Sequence, residues 1–158
     1  MTSRFDQEVK SFKAHFSIVR GNADEVLPLA RVTGGDGKVT ICGIVGAETP
    51  AIRSATLVML AKEQQATEVV FMSDVWLKSF NVDAGETPDD DRAPSEYPDR
   101  VEAMLVVRVT ALDQEISVLP YTVADGVVIW GEEELPAGEV MSFGGITEPV
   151  QAVMREAS

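Results

Sequence analysis

Three carboxylates fall near one tryptophan in the middle of the chain. Asp74 and Trp76 lie in Ser73-Asp-Val-Trp-Leu77, and Glu96 and Glu102 lie in Pro94-Ser-Glu-Tyr-Pro-Asp-Arg-Val-Glu-Ala103, with Arg100 between the two glutamates. Two carboxylates in unlike surroundings can share the work of a general acid and a general base, which is hydrolytic chemistry. An exposed tryptophan among charged groups offers apolar area with a polar edge, a combination enriched where proteins recognise one another. Against both stands a structural reading, in which Trp76 covers the margin of the core while Asp74, Glu102 and Arg108 form a solvated sheet face with weak ion pairs. In a chain with 26 acidic residues, carboxylate pairs also arise by chance.

Other chemistries fail for want of residues. His15 is the only histidine and Cys42 the only cysteine, which excludes an internal disulfide and leaves a Cys/His or multi-histidine metal site without ligands. His15 sits between Phe12 and Phe16, where packing is a better expectation than proton transfer to a serine nucleophile. Gly34-Gly-Asp-Gly37 has the glycines of a phosphate loop but lacks the Gly-Lys-Ser/Thr that should follow, and no helix opens after it. It reads as a turn. Asp89-Asp-Asp91 with Asp83 and Glu86 has no EF-hand spacing, and adjacent acids cannot all face one ion. A solvated loop is the reading there, and neither metal nor cofactor is expected.

The chain's 158 residues carry 26 Asp and Glu against 13 Lys and Arg, for a formal net charge of −13. With 45% apolar residues it can offset its conformational entropy by burial, so a folded domain is expected. The acidic field repels nucleic-acid phosphates and anionic lipid, so direct nucleic-acid binding and membrane association are not expected. Acids at Asp6 and Glu8 interrupt any secretion signal, and the longest apolar run, Leu57 to Ala61, is far short of the roughly 20 residues that span a bilayer. A cytoplasmic protein is the resulting expectation. The charge is uneven. Arg4, Lys10, Lys13 and Arg20 outnumber Asp6 and Glu8 over the first 20 residues, whereas Asp83, Glu86, Asp89, Asp90, Asp91, Glu96, Asp99 and Glu102 face only Arg92 and Arg100 over residues 83 to 102.

The elements that must position these groups follow from periodicity. Phe5, Val9, Phe12, Phe16 and Val19 recur at helical spacing, with a capping box from Ser3 to Asp6 and Gly21 as the stop. This stripe suits docking on the chain's own sheet, and its heptad spacing also allows homo-oligomeric assembly through Phe5, Val9, Phe12 and Phe16. Strands over 26–33 and 38–45 flank the glycine turn. Thr49-Pro50 opens a helix from Ala51 to about Gln65, with Ile52, Ala55, Val58, Met59 and Leu60 as its apolar face. Residues 68–77 alternate as a strand, 81–99 read as a loop, and 101–110, 115–123 and 127–130 as an antiparallel meander. Pro120 demands an edge or a bulge, residues 132–145 suit a loop, and Thr147-Glu-Pro149 opens a final helix carrying Val150, Val153 and Met154. The order predicts a single α+β domain with a mainly antiparallel sheet, an N-terminal hairpin plus a C-terminal meander, packed with two or three helices.

Trp76 followed by an acidic loop and then Pro94-Ser95-Glu96-x-Pro98-Asp99-Arg100-x-Glu102-Ala103 resembles a group of small bacterial and phage-borne α/β domains. The resemblance brings no activity with it and implies that Trp76, Glu96, Arg100 and Glu102 act together. Candidate binding residues are therefore Asp74, Trp76, Glu96, Arg100 and Glu102. The leading expectation is a non-enzymatic module that binds a protein partner of basic or mixed surface through the acidic loop and the Trp76 face. A small hydrolase built on Glu96, Arg100 and Glu102 is the alternative.

Overall fold

The computed structural model describes residues 3–24, 26–44, 50–77, 85, 98, 100–132 and 144–157. They form α1 (Arg4–Asn22), β1 (Leu29–Gly34), β2 (Val39–Gly43), α2 (Pro50–Gln64), β3 (Ala66–Leu77), β4 (Val101–Val109), β5 (Gln114–Ala124), β6 (Val127–Trp130) and α3 (Gly144–Ala157). All six strands join one antiparallel sheet in the order β2-β1-β3-β4-β5-β6. The expected hairpin and meander are both present, and β3 joins them into an α+β domain. Most of the 81–99 loop and of the 132–145 loop lies outside the described residues, with Glu96 and the Asp89-Asp-Asp91 run among them.

Turn chemistry sets the hairpins. Gly37 N donates to Gly34 O and Lys38 N to the Asp36 carboxylate, so the glycine-rich run closes β1 onto β2 as a turn. Asp125 and Gly126 both have positive φ, the two-residue turn that matches the twist of paired strands. Pro120 lies in β5 just beyond the β6 ladder, whose last pair is Tyr121 with Trp130. β5 is an interior strand rather than the edge or bulge expected of Pro120; its carbonyl accepts from Gly131 N, so its nitrogen faces the same side and the proline forgoes only the return bond to Gly131, beyond the end of β6.

Both faces of the central strands are covered. Alternate residues of β3 and β4 (Val69, Phe71, Ala103, Leu105, Val107) pack under Leu57 and Ala61 of α2 and Val150 and Met154 of α3. The opposite set (Val70, Met72, Met104, Val106) packs under Phe5 and Phe16 of α1, flanked by Val9, Phe12 and Val19. The α1 stripe is thus occupied by this chain's own sheet, and assembly through Phe5, Val9, Phe12 and Phe16 needs the helix to leave it.

Three helix readings need correction. Gly21 is not the stop of α1, which runs on to Asn22. Its missing side chain is instead what admits the β5–β6 turn, because a Cβ there would stand 2.6 Å from Gly126 O. The buried stripe of α2 is Ser54, Leu57 and Ala61, while Ile52 and Met59 are exposed. That helix is apolar around most of its circumference, so periodicity alone could not phase it. The third helix begins at Gly144, three residues before Thr147, and holds Pro149 inside. It is fastened by Gln151, which is buried, donates to Thr110 O at 3.0 Å and accepts from the Gln114 amide at 3.0 Å.

Candidate functional site

Register brings the candidate residues together. Trp76 pairs with Glu102 and Asp74 with Met104 across β3 and β4, which puts Asp74, Trp76 and Glu102 on the face that α1 covers. Arg108 shares that face but lies six residues along, at the far end. The solvated sheet face expected of Asp74, Glu102 and Arg108 does not occur, because α1 closes over both ends of it.

At one end the C-terminal turn of α1 meets Asp74, Glu102 and Tyr121. Tyr121 was not singled out in the sequence, yet it is the hub. Its hydroxyl lies 2.8 Å from Asp74 Oδ1 and 2.5 Å from Glu102 Oε2, and it accepts from Arg20 Nε at 3.1 Å. Arg20 also donates to Glu102 Oε1 at 3.1 Å and to the Ala23 carbonyl at 2.8 Å. The Asp74 and Glu102 side chains are only 12% and 23% exposed. Burial, with the Glu102 charge adding to it, pushes the Asp74 carboxyl up to about 6 against the opposing pull of the Tyr121 hydrogen bond and Arg20. The Tyr121 hydroxyl is driven far above its ordinary range, first by burial and then by its carboxylate neighbours. Arg20 is opposed by burial, but Tyr121 and Glu102 outweigh that and hold it charged.

Aromatic packing supports this corner. Phe16 meets Tyr121 edge-on at 5.0 Å and Trp130 at 5.5 Å, and Trp130 Nε1 donates to Ser17 Oγ of α1 at 3.0 Å. The signal that pointed to Arg20 was available: it follows Phe16 by four residues and so continues the apolar stripe as a cation. Nothing comparable marked Tyr121, whose role depends on three strands lying side by side.

Outside the corner, Trp76 is 41% exposed and the Arg100 guanidinium lies over its ring at 4.6 Å. Trp76 and Arg100 thus form the outward part of the candidate site, and Asp74 and Glu102 the inward part. The Glu102 carboxylate is bound by Arg20 and Tyr121, while Arg100 stacks on Trp76. Glu96 falls outside the described residues.

Glu68 organises the other end. It is 5% exposed and accepts from Arg108 Nε at 2.8 Å, Arg31 at 3.2 Å and Arg4 at 3.2 Å. Arg31 also binds Glu8, and Arg108 binds Glu115 at 2.8 Å, so charge is balanced within the group. Two ionic clusters therefore clamp the two ends of α1, with its apolar stripe between them.

Two clefts lie away from the Tyr121 corner. One of about 380 Å³ is lined by Gln65, Thr67, Thr110, Leu112 and Met154, and one of about 610 Å³ by Asp36, Lys38, Glu63 and Gln65, both at the Glu68 end of the sheet. Neither includes Asp74, Trp76, Arg100 or Glu102. Among the described residues no group of three or more His, Cys, Asp or Glu is placed to hold a metal, and no helix is long and apolar enough to cross a membrane. Cys42 is half-buried, and burial pushes its thiol up, away from the reactive thiolate. Comparison of the chain with protein-family models, curated proteins and solved structures finds no match in any of the three.

Proposed function

We propose that the protein is a non-enzymatic interaction module that docks a protein partner of basic or mixed surface. The contact would run across Trp76, Arg100 and the acidic segment that the sequence places between β3 and β4. The observation that carries this reading is the half-exposed Trp76 ring stacked under Arg100, at the strand ends that bracket that segment. A rigid aromatic anchor loses little conformational freedom on binding, and the carboxylates beside it would steer a cationic partner. Asp74 and Glu102 then act from beneath, fixing the β3 and β4 ends rather than touching the partner. The reading keeps Trp76, Glu96, Arg100 and Glu102 as one functional group and places the protein in the cytoplasm.

The test is capture of a partner by the wild type and by a Trp76→Ala, Arg100→Ala chain of matched stability. Loss of capture in the variant, and weakening of wild-type capture as salt rises, is the expected outcome. Equal capture by both chains would remove the named surface.

One observation favours a second reading, a small hydrolase: the Asp74 carboxyl, pushed up to about 6, sits beside a second carboxylate and a tyrosine hydroxyl. Turnover of an ester, phosphoester or glycoside that disappears in Asp74→Asn would decide for it.

A further inference from the structure

The Tyr121 hydroxyl has one proton and two carboxyl neighbours, Asp74 Oδ1 at 2.8 Å and Glu102 Oε2 at 2.5 Å. It can donate to only one of them. Two bare acceptors so close repel, so the other contact needs a proton carried by the carboxyl itself, donated to the tyrosine oxygen beside the N–H of Arg20. The geometry therefore asks Asp74 and Glu102 to hold one acidic proton between them. With it, the pair carries one negative charge, which the Arg20 guanidinium matches. Without it, two negative charges face one positive charge where little water reaches.

The groups that face the pair come from every element packed around it: Arg20 from α1, Tyr121 from β5, and the main-chain amide of Val26, which bonds Asp74 from the segment after α1. His15 lies on α1 but is exposed on its outer side. Arg100, two residues before Glu102, stacks on the outer Trp76 ring, so Arg20 is the cation bonded within the pair itself.

We propose that Asp74, Glu102 and Tyr121 form a proton-dependent latch that holds the C-terminal end of α1 on the sheet through Arg20, and that loss of the shared proton releases it. Relief comes from hydrating one carboxylate. Glu102, with its side chain 23% exposed against 12% for Asp74, has the shorter path to water. As it turns outward it leaves both Tyr121 and Arg20, and the end of α1 loses its anchor to β4. The N-terminal end stays fastened through Arg4 and Glu8 to the Glu68 cluster. Burial pushes Asp74 up to about 6, so the latch is closed in mild acid and open above neutrality. This inference does not rest on the interaction reading, since Trp76 takes no part in it.

Trp130 is a built-in reporter, because it packs on Phe16 and Tyr121 and donates to Ser17 of α1. The chain has two tryptophans and one histidine, so Trp76→Phe with His15→Gln leaves Trp130 as the only indole and removes the only imidazole. From about pH 5 to about pH 8 its emission is expected to move to longer wavelength in one step near pH 6, with far-UV circular dichroism nearly constant. Asp74→Asn in the same background is expected to keep the low-pH emission throughout. An emission flat across that range, or a step that survives Asp74→Asn unchanged, would overturn the latch. Glu102→Gln must likewise abolish the step and serves where the Asp74→Asn chain does not fold. Carboxyl NMR gives a second reading on the unmodified chain: both carboxyls titrating at ordinary acidic values would also overturn it.

Discussion

Arg108 Nε donates to Glu68 Oε2 across 2.8 Å, joining β4 to a carboxylate of β3 that is only 5% exposed. Glu68 is also held by Arg4 and Arg31, so one buried anion ties α1, β1, β3 and β4. Removing it would leave Arg31 and Arg108 partly buried without their shared partner. Glu68→Ala should therefore lower stability by about 3 to 5 kcal/mol in urea unfolding. A loss under about 1 kcal/mol would mean that Glu8 and Glu115 satisfy the two arginines unaided.

The close pass of α1 over the β5–β6 turn gives a second test. Gly21→Ala would bring a methyl group within 2.6 Å of Gly126 O, and neither backbone can yield without moving its element. The added methyl improves helix propensity by at most about 1 kcal/mol, so net destabilisation of about 1 to 3 kcal/mol measures the contact. A gain in stability on Gly21→Ala would show that the turn gives way freely.

Asp74 makes stability depend on pH with a definite sign. Its carboxyl is raised from 3.8 to about 6, so the folded state binds the proton more tightly than the unfolded state. That contribution is fully present below about 3.8, and it is lost as pH rises through about 6. Other acids titrate too, so the informative quantity is the difference between wild type and Asp74→Asn. The Asp74→Asn chain should gain on the wild type by about 2 kcal/mol between pH 4 and pH 7. Parallel stability curves for the two chains would contradict the burial of this carboxyl.

Gln151 fastens α3 to the β4–β5 turn by donating to Thr110 O and accepting from Gln114 and Arg155. Gln151→Leu keeps the apolar packing but removes the bond to the half-buried Thr110 carbonyl and the acceptor that the exposed Gln114 and Arg155 share. Hydrogen exchange should then rise in α3 before it rises in β3 or β4, with a global loss of about 1 kcal/mol. Uniform exchange across the chain would argue against a separate fastening.

Trp76→Ala with Arg100→Ala removes an outward stack rather than core, so its effect on melting should be small, within about 1 kcal/mol. A large loss would turn this pair from a recognition surface into a structural cover for the β3–β4 ends.

Local chemistry was legible where it involved near neighbours in sequence. The Ser3–Asp6 capping box, the five-residue stripe of α1, the glycine turn at 34–37 and the Asp125-Gly126 turn each depend on residues a few positions apart, and their geometry follows from backbone sterics and hydrogen-bonding groups. The alternation of β3 and β4 was equally plain. What alternation cannot say is what will cover each face, because both faces of these strands are apolar in the middle and the one that carries Glu68, Asp74, Glu102 and Arg108 at its ends reads as a solvated surface. Only docking of α1 decided that Asp74 and Glu102 lie inward, that Tyr121 and Arg20 stand between them, and that Glu68 rather than open water receives three arginines. Burial of that kind depends on groups as distant in sequence as Arg20 and Tyr121 meeting across three strands and a helix. No spacing in the sequence encodes it, and the desolvation it imposes is what turns ordinary carboxylates into a shared proton site.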